Sequence, residues 1–348
     1  MIVVFGGLGA YGILFTKHRL NSKFPHETQI ETSVQILVSF SCVEYFRRMR
    51  LSEYMDTIRG VIVSVQENES VCVSFVESMP SYADLTNWQD FSVLQKMEYI
   101  WYKDEVQTAR ILFYLRVIPT CIECVTAPIF RQVLVPTMFL YMGHPNKKVA
   151  RASHSMFVGF ISSGKDSDQD ERVSLKEKLV FYYIERSLAE YPGTTPFKGM
   201  ASGVVALVRH LPTGSPAIFY CINSFVVKAN RLCGEQGESE PCKEIIELLL
   251  RLISLVDIQV LSNLMKLLAQ LIMKLPKDGQ NLVLNELFSL VVESDDVTRK
   301  PTLVSWLQSL SYLCSQDTSR VANSTEVGGD KNSVSAQATN SSDLHARL

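Results

Sequence analysis

The chain has 348 residues, 47% hydrophobic and 20% charged, with a formal net charge of −2. That composition supplies a large core and excludes any general electrostatic attraction to nucleic acid or to an anionic membrane surface. Its eight cysteines are spread through apolar stretches rather than packed into a short disulfide framework, which reads as buried, reduced thiols in an intracellular protein.

Residues 1–16 (MIVVFGGLGAYGILFT) carry no charge, and Lys17, His18 and Arg19 follow them. A signal peptide places positive charge before its apolar run, and a spanning helix needs about 20 apolar residues. Residues 1–27 are therefore expected to be an apolar, glycine-rich leader or the product of a wrongly chosen start codon, with a signal-anchor as the alternative. Gly7, Gly9 and Gly12 spell G-x-G-x-x-G after Ile2–Phe5. A dinucleotide site also needs a second strand ending in an acid, and none follows, so no cofactor is expected.

Helical periodicity then runs almost unbroken from about residue 28 to about 316. The spacing predicts helices near 30–50, 52–66, 69–78, 86–101, 103–118, 128–143, 146–162, 171–190, 196–211, 215–233, 241–256, 258–275, 279–293 and 299–315. In the first, Val34, Ile36, Leu37, Phe40, Val43 and Phe46 share a side, and Arg47, Arg48 and Arg50 suit the dipole at its C-terminal end. Thr195-Pro196 and Ser215-Pro216 place a capping hydroxyl before a proline at the first helical position, and Pro145 and Pro241 play the same part. Gly143, Gly164, Pro192, Pro212, Gly234 and Pro276 read as stops. The β-branched runs at 60–66 and 70–75 are the weakest helical segments, and no alternating run predicts a sheet.

Two segments resemble one another. Residues 204–226 and 268–290 each carry an apolar helix ending in Leu-Pro, a polar turn with glycine, and a second apolar helix. Residues 143–162 (GHPNKKVARASHSMFVGFIS) set Pro145, Asn146, Val149, Arg151, Ala152 and Phe157 in the places that mark the second half of a HEAT repeat, with residues 128–141 as the partner helix. This hairpin resembles the HEAT/armadillo superfamily. The resemblance implies an all-α fold: an irregular right-handed α-solenoid of HEAT/armadillo-like helix pairs, over 28–316, that binds other proteins along a concave face.

No catalytic or metal constellation emerges. Cys121 and Cys124 form a lone C-x-x-C, with Pro119 read as a helix–helix turn; zinc would need two further ligands, so two incidental thiols are expected. Asp166, Asp168, Asp170 and Glu171 match a calcium loop poorly and read as a solvated acidic loop. His144 and His154 flank the HEAT-like turn without a nucleophile signature. Lys147, Lys148 and Arg151 lie on one helix and suit an acidic partner segment, and Asn223 and Lys228 are further candidate partner contacts.

From residue 317 to 348 Ser, Asn, Thr, Gly and Asp dominate and aromatics vanish, which predicts a disordered tail. It ends in Ala346, Arg347 and Leu348, which resembles the small-basic-aliphatic peroxisomal address read by an import receptor. The expectation is a non-enzymatic scaffold or adaptor in the peroxisome, without cofactor, metal or nucleic acid. Residence in the cytoplasm or nucleus is the alternative location, and membrane association through residues 1–16 the alternative function.

Overall fold

The computed structural model describes residues 26–49, 52–86, 104–164, 171–236 and 240–325. Every regular element among them is helical. Residues 1–25 of the leader, with the G-x-G-x-x-G glycines, the acidic loop at 165–170, most of the helix expected at 86–101 and the terminal Ala346-Arg347-Leu348 lie outside the described residues, while His26 and Glu27, expected in the leader, open the first helix.

α1 (His26–Val43) passes into a 3-10 turn (Glu44–Met49), and α2 (Ser52–Gln66) and α3 (Glu69–Glu77) form the next hairpin. Both weak β-branched runs are therefore helix. Asn68 caps α3 by accepting from Val71 N–H at 3.2 Å. A short α4 (Tyr82–Thr86) precedes α5 (Glu105–Cys121), which Asp104 caps through Gln107 N–H at 2.9 Å. Pro119 lies inside α5 and not in a turn: α5 continues past it to Cys121 and closes through a 3-10 turn (Ile122–Cys124).

α6 (Ala127–Ile129), a π turn (Phe130–Leu134) and α7 (Val135–Met142) make one interrupted helix. Pro136 has no N–H to give, and the widened turn sits immediately before it, as expected where the α register cannot be kept. Gly143 then caps α7 and Asn146 caps α8 (Lys147–Ser162), accepting from Lys148 N–H at 2.9 Å. The remaining helices are α9 (Glu171–Glu190), α10 (Phe197–His210), α11 (Pro216–Gln236), α12 (Glu240–Ile253), α13 (Ile258–Ile272), α14 (Lys277–Glu293) and α15 (Lys300–Thr325).

The boundaries follow local chemistry with a few corrections. Ser215 Oγ accepts from Ala217 N–H at the start of α11, as the Ser-Pro pair predicts. Thr195 does not do so for α10: its hydroxyl makes no cap, Pro196 is the cap residue, and Thr195 is buried in the turn after α9. Gly234 does not stop α11, which runs to Gln236. Cys233 on α11 and Cys242 on α12 are paired, with Cα atoms 5.9 Å apart. Helix α15 extends to Thr325, past the change of composition at 317.

The described chain divides into two compact units, Met1–Leu271 and Ile272–Leu348. In the first, α8 packs on α5 on one side and on α10 on the other, and α10 packs on α12. A second row is built by α9 on α11, with α9 also touching α7. Helices of the first unit thus pack both on their neighbours in sequence, as α7 on α8 and α11 on α12, and on the next but one, as α8 on α10 and α9 on α11. α8 is central and buries Val149, Met156, Phe157, Phe160 and Ile161 together with the small Ala150, Ala152 and Ser153. Gly199 and Gly203 on α10 allow a close approach: a Cβ at Gly199 would stand 3.0 Å from the His154 ring.

In the second unit, α14 packs on α15. Each buries a single stripe at helical spacing, Val283, Leu287 and Val291 against Leu303, Leu307 and Leu310. Among the described residues no helix is long and apolar enough to cross a membrane.

Candidate partner-binding cleft

A cleft of about 550 Å³ opens between the 3-10 turn after α1, helix α5 and the turn into α8. Its floor is Glu44, only 4% exposed. A buried carboxylate is sustained only by cations and hydrogen bonds, and here one oxygen serves two guanidiniums. Glu44 Oε1 accepts from Arg47 Nη1 at 2.9 Å and from Arg116 Nη1 at 3.3 Å. The 3-10 turn makes the first contact possible, because three residues per turn stack residue i+3 over residue i. The second crosses from α5, where Arg116 interrupts the apolar run Ile111–Ile118.

Both guanidiniums face the opening, their side chains 37% and 41% exposed. Burial, and then the neighbouring positive charge of Arg47, hold the Arg116 guanidinium below its usual range, against the attraction of Glu44. Lys148 stands on the α8 side, and Tyr45, Thr108, Leu112 and Glu105 complete the walls.

The sequence-derived contact residues separate here. Lys147, Lys148 and Arg151 are all exposed at the start of α8, and Lys148 lines the cleft. Asn223 is exposed on α11 and is not part of the cleft. Lys228 is not a surface contact: it is 7% exposed, and its ammonium donates to the carbonyl of Leu188 at 2.8 Å. That carbonyl lies in the last turn of α9, where a buried cation is stabilised by the helix terminus. Glu44 and Arg116 have no local motif. Their one sequence signal is a lone charge inside an apolar stretch, which implies a partner across the fold.

Cys121 and Cys124 gain a neighbour in Cys72. The Cys72 thiol donates to Val65 O at 3.3 Å and the Cys124 thiol lies 3.8 Å from Gln66 O, so both meet the last turn of α2. The hydrogen bond that the Cys72 thiol donates to Cys121, and then burial, push Cys72 far up, and burial lifts Cys124 to about 11. Among the described residues no group of three or more His, Cys, Asp or Glu is arranged to hold a metal ion.

Residues 72–162 match the family model described as the PEX8 central TPR-like domain. The matched span covers about a quarter of the chain, from within α3 to the end of α8, and includes Arg116 and Lys148. No curated protein matches the chain. The match and the all-helical described residues support a helical-repeat protein similar to the TPR class, and the hairpin read as HEAT-like falls within the matched span.

Proposed function

We propose that this chain is a non-enzymatic helical-repeat scaffold serving peroxisomal protein import. The match of residues 72–162 to the PEX8 central TPR-like domain carries this reading, since that family is a component of peroxisomal import. The two helix rows of the first unit fit an irregular right-handed solenoid, an architecture whose extended faces hold peptide segments of other proteins. Lys147, Lys148 and Arg151, clustered on one side of α8, are its proposed contact residues, with Asn223 as a separate point on α11. The terminal Ala346-Arg347-Leu348 is the proposed address, captured by an import receptor.

The test is isolation of the tagged full chain after mild crosslinking in cells, for the natural sequence and for a Lys147→Glu/Lys148→Glu/Arg151→Glu variant. Stoichiometric recovery of import components with the first, reduced with the second, is the expected outcome. Recovery of no stoichiometric partner contradicts the scaffold reading.

A further inference from the structure

We infer that the cleft is a carboxylate-binding site for an acidic peptide segment of a partner protein, with Arg47 and Arg116 above its Glu44 floor and Lys148 at its edge. The inference rests on the protein-binding reading above and adds the chemistry of what is bound. Each guanidinium carries five N–H donors in a planar fork. Both Arg47 and Arg116 spend only Nη1 on Glu44, and among the described residues neither has another acceptor. One carboxylate oxygen shared by two guanidiniums leaves a partly desolvated cation pair one negative charge short of balance.

The sign and size of that shortage select the ligand. Among the described residues, three cations line the cleft (Arg47, Arg116 and Lys148) against two carboxylates (Glu44 and Glu105), an excess of one positive charge. A side-chain carboxylate supplies one negative charge. A phosphate dianion oversupplies it and meets Glu105, which stands exposed on the same wall. Glu44 does not compete for the opening, because its side chain is 3% exposed beneath the two guanidiniums and holds them facing outward.

The surroundings favour a peptide over an isolated carboxylate. Thr108, Ala109 and Leu112 give α5 a wall that accepts a side-chain stem. Lys147 and Arg151 continue the positive surface along α8 beyond the opening. A segment with several Asp or Glu residues engages the forks and this surface together, and gains with each added carboxylate.

A short fluorescein-labelled Glu/Ser peptide titrated with the full chain, followed by anisotropy, tests the proposal. Binding is expected at low salt, weakening steeply as salt rises. Arg47→Gln and Lys148→Gln should each weaken it roughly five- to tenfold, the scale of one charge-assisted hydrogen bond. Arg251→Gln, which removes an exposed cation on α12 away from the cleft, should leave it unchanged. Arg116→Lys keeps the charge without the fork and should also weaken binding, with melting curves confirming that each variant folds. Equal binding by the Arg47→Gln/Lys148→Gln double variant overturns the proposal, as does equal binding of a Gln/Ser peptide. Tighter binding of a phosphoserine peptide also overturns it, in favour of a phosphate site. Import components still recovered in full with the double variant would show that the scaffold reading survives while the carboxylate site fails.

Discussion

His154 Nδ1 and Tyr183 Oη lie 2.7 Å apart in the core, joining α8 to α9 beside the glycines of α10. Tyr183 also stacks on Phe157, with ring centroids 3.6 Å apart. Both polar residues are wholly buried. The same site therefore fixes how three helices of the first unit approach one another, and it makes their packing sensitive to protonation and to any added volume.

Burial holds the His154 imidazole down at about 4, against an ordinary value of 6.5. The ring is neutral in the fold, so the unfolded chain takes up a proton first as the pH falls. Its stabilisation is complete above about pH 6.5 and is lost progressively down to about pH 4, at a cost of about 3 kcal/mol. His144, also lowered to about 4 by burial, adds in the same direction. Urea unfolding across this range should show a falling midpoint, and a His154→Asn variant should show a shallower slope. A flat profile would mean that His154 is not buried as described.

A Cβ at Gly203 would stand 2.1 Å from Tyr183 Oη, while one at Gly234 meets nothing within 4 Å. The tyrosine cannot yield easily, because Phe157 backs its ring. Gly203→Ala should destabilise the protein by about 2–3 kcal/mol, as overpacked core sites do. Gly234→Ala, inside α11, should stabilise it by about 0.5–1 kcal/mol through helix propensity. Paired thermal melts test both signs at once.

Glu44→Gln removes the carboxylate that Arg47 and Arg116 share. With each guanidinium more than a third exposed, solvent offsets part of the loss, and the expected destabilisation is about 1–2 kcal/mol. The same change should tighten low-salt binding of the acidic peptide, because the excess positive charge grows. Lower stability together with stronger binding separates this from a simple packing defect; weaker binding would contradict the assignment of Glu44 as the counter-ion.

Arg172 is buried beside the turn that follows α5. It donates to Ser163 Oγ at 2.8 Å and to the carbonyls of Ile122 and Val125, and its guanidinium lies 5.7 Å from the Phe160 ring centre. Arg172→Met should cost about 2–4 kcal/mol by leaving those acceptors unpaired. Arg172→Lys should recover little of it, since an ammonium cannot fork to the same acceptors. Full rescue by lysine would show that charge alone matters there.

What the sequence revealed was set by how local the cause is. Asn146, Leu211-Pro212 and Ser215-Pro216 act within one turn of chain, and the structure uses them as helix boundaries. Thr195 and Gly234 carry the same local signals but are overruled, one by the packed turn after α9 and the other by continued helix in α11. In the cleft, Lys148 was legible as a cation on a helix start. The Glu44–Arg116 contact spans 72 residues, and the burial of Lys228 depends on Leu188 of another helix. Pairings of that kind leave no periodic trace.

Localisation of the full chain carrying an N-terminal fluorescent tag, with and without Leu348, tests the central claim most directly. A scaffold of peroxisomal import addressed by Ala346-Arg347-Leu348 should co-localise with a peroxisomal marker and become diffuse when Leu348 is removed. A diffuse signal from both forms would contradict the account.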